Sequence, residues 1–327
     1  MLHRALVWSI LGTVAAVGGE SVDDAVEARA VGFLAREVPR WSRENHCFSC
    51  HHNGDAARAL FRAIGSGVVV DRAAIAATTR WLNQPNRWER NGGEGPFSDR
   101  RLARIQFTAA LAEAWKSGAS VDSSPLLEAA ARLARDQHDD GSWPLEGENE
   151  PGSPATYGRP LATFMALRSL QLADAERFQK AIERADRWLR SRPVRSVLDA
   201  SVLLLTLNAT AATPPPDAEP SPPHLLQLGL DRLREGQSDD GGWGPYVASV
   251  PEPFDTALAL IALSNAGDSP EIGSMIARGR RFLVDRQLPD GSWPETTRPA
   301  GGLSEAQRLS TSAWVTLALL ATRGRGR

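Results

Sequence analysis

The sequence predicts an all-α protein, an α/α toroid of about six helical hairpins arranged as an inner and an outer ring. Three observations predict it. A seven-residue element recurs at multiples of fifty residues. The stretches between its copies show helical apolar patterning. Strand-type alternation is missing from them.

The recurring element reads Gln137-His-Asp-Asp-Gly-Ser-Trp143, Gln237-Ser-Asp-Asp-Gly-Gly-Trp243 and Gln287-Leu-Pro-Asp-Gly-Ser-Trp293. The first two copies lie 100 residues apart and the third 50 further on. Stepping by 50 in the other direction reaches Asn91-Gly-Gly-Glu-Gly-Pro96, then the neighbourhood of Trp41; forward from Trp143 it reaches Pro193, just after Arg187-Trp188-Leu189. Each unit is a first helix, a loop and a more apolar second helix. The first helices fall at 22–38, 71–82, 122–136, 175–190, 224–236 and 270–286; the second at 52–65, 99–117, 159–173, 196–210, 254–266 and 304–322. Leu198 to Leu207 and Asp255 to Leu263 are apolar nearly all round, as buried helices are, whereas Ala181 to Leu189 carries many charges. The second helices therefore form the inner ring, and closing the ring buries the edge that an open stack of repeats exposes.

Within the loops, Asp-Gly makes a tight turn, and the Trp and Gln are placed to pin the loop to the outer helix. Asp255, Ser201 and Ser312 are candidate helix caps. Asp139, Asp140, Asp239, Asp240 and Asp290 recur with the repeat, so turn chemistry explains them better than metal or acid–base work. The proline-rich run 213–223 reads as a stiff connection.

Composition bounds the rest. The 327 residues are 42% hydrophobic and 23% charged with a net charge of −2, and no basic run precedes Arg323, which argues against a nucleic-acid partner. Met1 to Arg4, the apolar run Ala5–Val17 and small residues at Ala16, Gly18 and Gly19 read as an export signal over 1–19, leaving a domain over 20–327; a helix packed on the domain is the alternative. The run is short for a membrane span, and no later segment is apolar enough for one. A periplasmic or extracellular protein without a transmembrane segment is expected.

The Gln-x-x-Asp-Gly-Ser-Trp elements resemble the QW repeat of squalene–hopene cyclases and the related repeat of protein prenyltransferases, over residues of about 22 to 322. The resemblance implies a cavity lined by the inner helices and an isoprenoid or other apolar ligand. The cyclases' acidic Asp-x-Asp-Asp-Thr-Ala motif has its nearest match in Glu252-Pro-Phe-Asp-Thr-Ala257, where Phe254 stands at the proton-donating position; a phenyl ring donates no proton, which argues against protonation-type cyclisation through this motif. Prenyltransferase zinc needs Asp, Cys and His ligands, and both cysteines here lie outside that arrangement.

Those two cysteines sit in His46-Cys47-Phe48-Ser49-Cys50-His51-His52. Cys-x-x-Cys-His is the c-type haem attachment signature: Cys47 and Cys50 would form the thioethers, and His51 would ligate the iron. Some exported bacterial repeat proteins that this chain resembles carry the same Cys-x-x-Cys-His-His in the same kind of loop. His138 or Met165 is the candidate distal ligand, and Tyr157 and Tyr246 are expected on the loop face near the haem. The alternatives are zinc held by both cysteines with two of the histidines, or a local disulfide.

Three functions follow. The first is haem-based redox chemistry or electron transfer with a redox partner, the toroid binding an apolar ligand. The second is a non-catalytic binding module with a structural metal at the Cys/His loop. The third is a terpenoid cyclase or other isoprenoid-processing enzyme whose acid the sequence does not reveal.

Overall fold

The computed structural model describes residues 22–89, 99–146, 151–210, 221–296, 298 and 304–325. The expected export signal over 1–19, the segment 91–96 and most of the proline-rich run lie outside the described residues.

The described residues hold twelve α-helices and no strand. The outer ring comprises α1 (Val22–Asn45), α3 (Arg72–Leu82), α5 (Ser124–Arg135), α7 (Gln179–Arg190), α9 (Pro222–Gly236) and α11 (Pro270–Asp285). The inner ring comprises a π-helix (Cys50–Ala56) running into α2 (Ala57–Gly65), then α4 (Arg100–Lys116), α6 (Arg159–Asp174), α8 (Val197–Ala209), α10 (Pro253–Leu263) and α12 (Glu305–Ala321). Each inner helix packs against the next, and α12 packs against the π-helix, α2 and α1, which closes the ring.

The division into rings follows from composition. Helix α7 buries only Ala181, Ile182, Ala185 and Leu189 and turns its charges outward, whereas α8 and α10 are buried almost throughout. All inner helices begin on the face bearing the Trp loops and end on the opposite face.

The repeat element has one geometry in all three copies. The buried indoles of Trp143, Trp243 and Trp293 donate through Nε1 to the carbonyls of Leu133, Leu233 and Leu283 near the C-termini of α5, α9 and α11, at 2.9, 2.7 and 2.7 Å. These bonds tie each indole to carbonyls in the last turn of the helix, two of which, Leu133 O and Leu283 O, also accept from the backbone N–H three residues on. The glutamine reaches the next outer helix: Gln137 Nε2 donates to Ala181 O (2.8 Å), and Gln237 Nε2 to Met275 O (3.0 Å). Gln287 Nε2 donates to Val26 O (2.9 Å) on α1, so the last loop fastens to the first helix. The turn aspartates accept from the loop itself, as Asp140 and Asp290 do from Ser142 and Ser292, in agreement with turn chemistry.

The expected caps are corrected. Ser201 and Ser312 bond back to Val197 O and Arg308 O within their helices, and Asp255 serves an ion pair instead. The caps are Asp99, Ser196 and Ser304, which accept from Leu102, Asp199 and Gln307.

Candidate functional site

The inner helices enclose a cavity of about 290 Å³. It is lined by the C-terminal halves of those helices, so it lies towards the face opposite the Trp loops. Phe164, Met165, Leu205, Ile261, Trp314 and Leu317 give it apolar walls. Its charged lining is unbalanced, with Arg58, Arg62, Lys116 and Arg168 against Glu113.

Arg58 is the deepest of these cations, at 4% exposure. Its guanidinium carbon sits 4.2 Å from the centroid of the Trp314 ring, a cation–π contact, and its Nη1 lies 3.2 Å from Met165 Sδ. Its Nε and Nη2 are buried without a hydrogen-bond partner among the described residues. A buried guanidinium with free donors is expensive unless an acceptor meets it.

Behind Arg58 lies Asp55, 1% exposed. Its carboxylate is the acceptor for the Tyr157 hydroxyl, for Gln106 Nε2 (2.8 Å) and for Ser310 Oγ (2.9 Å); Ser310 Oγ also lies 3.1 Å from His51 Nδ1. Burial raises the Asp55 carboxyl pKa, against the pull of the Arg58 charge and the hydrogen bonds. Burial and the Asp55 charge in turn push the Tyr157 phenol well up, so the phenol keeps its proton.

The local structure explains how these groups meet. Ser49 caps the π-helix, its Oγ accepting from His51 N and His52 N at 3.2 and 3.4 Å. Within that helix Gly54 faces α4, where an added Cβ would sit 3.0 Å from Gln106 Cβ. Glycine therefore lets α4 approach, and Gln106 reaches Asp55. Tyr157 is held at φ +59°, a left-handed conformation costly for a side-chain-bearing residue. A π-helix and a strained tyrosine converging on one buried acid are features that concentrate at functional sites.

Several expectations change here. Tyr157 is fully buried on Asp55 instead of lying open on the loop face, while Tyr246 is exposed. Met165 lies on the cavity wall with its sulfur against Arg58. His138 is exposed, its backbone closing the first Trp loop onto Ser142 O. Phe254 is fully buried and meets the Trp314 ring edge-on at 6.0 Å. Asp255 is paired with Arg298, which also bonds Glu252 at 2.9 Å; burial nevertheless raises the Asp255 pKa to about 6. Thr256 Oγ1 accepts from Trp243 N (2.9 Å). The cyclase-like Asp-Thr-Ala thus fastens a Trp loop.

At the Cys/His loop, Cys47 and Cys50 are half-buried and unbridged. Cys50 packs with Phe48 against the core, and burial pushes its thiol up to about 12. Burial lowers His51 to about 4, and burial with the neighbouring His51 and Arg40 charges lowers His52 to about 3. His52 stacks on Trp41 at 4.7 Å. The donor types suit a c-type haem. In this structure Cys50 packs on the core and His51 Nδ1 lies against Ser310 Oγ, so covalent haem at these residues needs the loop to rearrange. No Cys/His zinc cluster forms among the described residues either.

An all-helical ring with QW-type loops and this buried polar core has the squalene-cyclase-like α/α toroid fold. The comparisons agree. The chain is 27% identical over 198 residues to a drimenyl diphosphate synthase of Streptomyces showdoensis, covering 55% of this chain and 37% of that protein. It is 30% identical over 183 residues to a drimenyl diphosphate synthase of Streptantibioticus cattleyicolor, covering 54% and 34%. The matches thus span about a third of the length of these relatives. Among solved structures, the type II terpene cyclase MstE from Scytonema superposes with a TM-score of 0.59 at 15% identity, covering 92% of this chain and 98% of that one. A variant of MstE in complex with its substrate, geranylgeranyl dihydroxybenzoate, gives 0.58 at 16% identity, covering 92% and 97%. At these identities the structural likeness is one of fold. No protein-family model matches the chain.

Proposed function

We propose that this chain is a terpenoid-cyclase-like protein that takes an isoprenoid ligand with an anionic end into its central cavity. The observation that carries this reading is Arg58, a buried cation with unused donors in an apolar cavity whose other charges are mostly positive. The walls supply burial for a polyprenyl chain, and Phe164 offers a π face to positive charge developing on it. The relatives support the same ligand chemistry: two are drimenyl diphosphate synthases, and MstE was captured with a geranylgeranyl-bearing substrate.

We assign Asp55 as the acid of the site. It is buried behind the cavity cation Arg58, and burial raises its carboxyl pKa. Phe254 leaves the usual motif without its donor, so chemistry on this scaffold would run from the first inner helix.

The test is ligand titration followed by tryptophan fluorescence, with farnesyl diphosphate, farnesol and inorganic diphosphate as probes. Saturable binding of farnesyl diphosphate is expected, weakened roughly 10- to 100-fold by Arg58→Met while farnesol binding changes little. Absence of saturable prenyl binding would sink the reading. Any cyclised product, followed by gas chromatography, should vanish in Asp55→Asn.

A second reading rests on the Cys47-x-x-Cys50-His51 motif: covalent haem and a redox role in an exported protein. It requires the loop to open and turn Cys50 and His51 outward. An absorption spectrum and intact mass of protein made in a host with cytochrome maturation tests it, and the absence of a haem-sized mass increment would end it.

A further inference from the structure

His52, the second histidine of the Cys-His-His run, has no part in either reading. It is 2% exposed, and its Nε2 is buried without a hydrogen-bond partner. That nitrogen lies 3.7 Å from a Glu305 carboxylate oxygen, and one ligand atom each of Glu37, His52 and Glu305 falls within 4.8 Å of the others. The ring is held on both other sides, by stacking on Trp41 and by Ser49 Oγ, 3.3 Å from Nδ1. A histidine oriented through its second nitrogen while the first faces carboxylates is the arrangement of a metal ligand.

The local charge supports a cation. Glu37, Glu44 and Glu305 all pair with the single guanidinium of Arg40. Three carboxylates on one arginine leave an excess of negative charge. Arg40, Glu44 and Glu305 are partly exposed, so the arginine can swing towards Glu44 and a metal can enter from solvent.

We propose that Glu37, His52 and Glu305 bind a divalent transition metal of the zinc type, with water completing the coordination. One imidazole nitrogen and two carboxylate oxygens suit such an ion. The ligands come from α1, the π-helix and α12, the elements that close the ring, so the metal clasps the first hairpin to the last. The site lies apart from the cavity and is independent of the ligand proposed there. It uses neither cysteine and not His51.

The experiment is zinc titration of the chelator-stripped full chain, by calorimetry and thermal melting. One zinc per chain and a raised Tm are expected, because an ion that binds only the folded state stabilises it. His52→Ala and Glu305→Gln should each abolish both effects; Glu305 is half-exposed, so its variant folds even if His52→Ala does not. The Cys47→Ser/Cys50→Ser double variant should keep them. Arg40→Gln should tighten binding roughly tenfold by removing the resident cation. No uptake by the wild-type chain, uptake that survives Glu305→Gln, or uptake lost with the cysteines would overturn the proposal.

Discussion

Arg298 holds Asp255 through both arms of its guanidinium, Nη2 to Oδ1 at 2.6 Å and Nη1 to Oδ2 at 2.7 Å. Asp255 is fully buried, so this pair decides whether its carboxylate can be accommodated at all. Removing the arginine leaves a buried charge without its partner. Arg298→Met is expected to destabilise the protein by about 3–5 kcal/mol, and Arg298→Met/Asp255→Asn by less, because the second change removes the stranded charge. Urea unfolding of the two variants checks this; equal losses would show that the pair is not coupled.

The three Trp loops should behave alike. Trp143→Phe, Trp243→Phe and Trp293→Phe each leave a helix carbonyl without its indole donor and should cost about 1–3 kcal/mol. A Trp293 value near zero would mean that the loop docked on α1 does not share the work of the other two. Thermal or urea denaturation is sufficient to rank them.

Two glycines separate backbone strain from crowding. Gly267 has φ +116° with no atom within 4 Å of the place a methyl group would take, so Gly267→Ala should cost only the conformational penalty, about 1 kcal/mol. Gly291 has φ +94°, and a Cβ there would lie 2.3 Å from Arg29 O on α1. Gly291→Ala must therefore push the last loop off the first helix, and its loss should exceed that of Gly267→Ala by at least about 1 kcal/mol. Comparing their denaturation midpoints tests the ring closure directly.

The two buried imidazoles set an acid limit. In the folded chain His51 and His52 titrate at about 4 and about 3, below the usual 6.5. As pH falls below about 6.5 the unfolded chain takes up protons that the folded chain refuses, so stability drops progressively until the folded values are passed. The loss between pH 6.5 and 4 should be on the order of 3 kcal/mol for each ring, and His51→Asn/His52→Phe should flatten it. Melts of the wild type and of His51→Asn/His52→Phe recorded in chelator across this range provide the check, because the raised Asp255 carboxyl gains stability in the same window; identical pH slopes in the two proteins would contradict the buried neutral rings.

Filling the cavity should separate binding from folding. Ala109 lines it, and Ala109→Phe is expected to block prenyl binding at a stability cost of roughly 1–3 kcal/mol. Undiminished binding in a folded Ala109→Phe would place the ligand elsewhere.

The fold is legible in the sequence because each hairpin repeats its own instructions. The Gln and Trp of a loop contact the helices next to it, so a fifty-residue period in the sequence maps onto neighbours in space. Most helix boundaries agree within a few residues for the same reason, since Pro, Ser and Asp mark the starts locally; α1 is the exception, running through Pro39 to Asn45 where the sequence predicts an end at 38. The buried site carries no such signature. Asp55 meets Gln106, Tyr157 and Ser310 across 51, 102 and 255 positions. Each of these residues alone reads as an ordinary polar residue beside a helix. A tyrosine that follows a loop reads as a surface residue, yet the left-handed backbone of Tyr157 turns it inward. Arg58 is hidden for the opposite reason: an arginine in a helix usually marks a solvent face, and only packing shows that this one is enclosed. The Cys/His motif is conspicuous in the sequence, but its spacing says nothing about which way Cys50 and His51 turn when the π-helix forms.

The Gln287–Val26 latch has a topological consequence. Once the last loop is docked, α1 receives the same glutamine joint as α7 and α11. Opening the barrel at one place then requires breaking a joint equivalent to those at Gln137 and Gln237, so breathing motions should be shared around the circumference instead of peeling from one end. A circularly permuted chain, cut at a loop between two outer and inner helices and rejoined beside α1, would keep every such joint and should close into the same barrel.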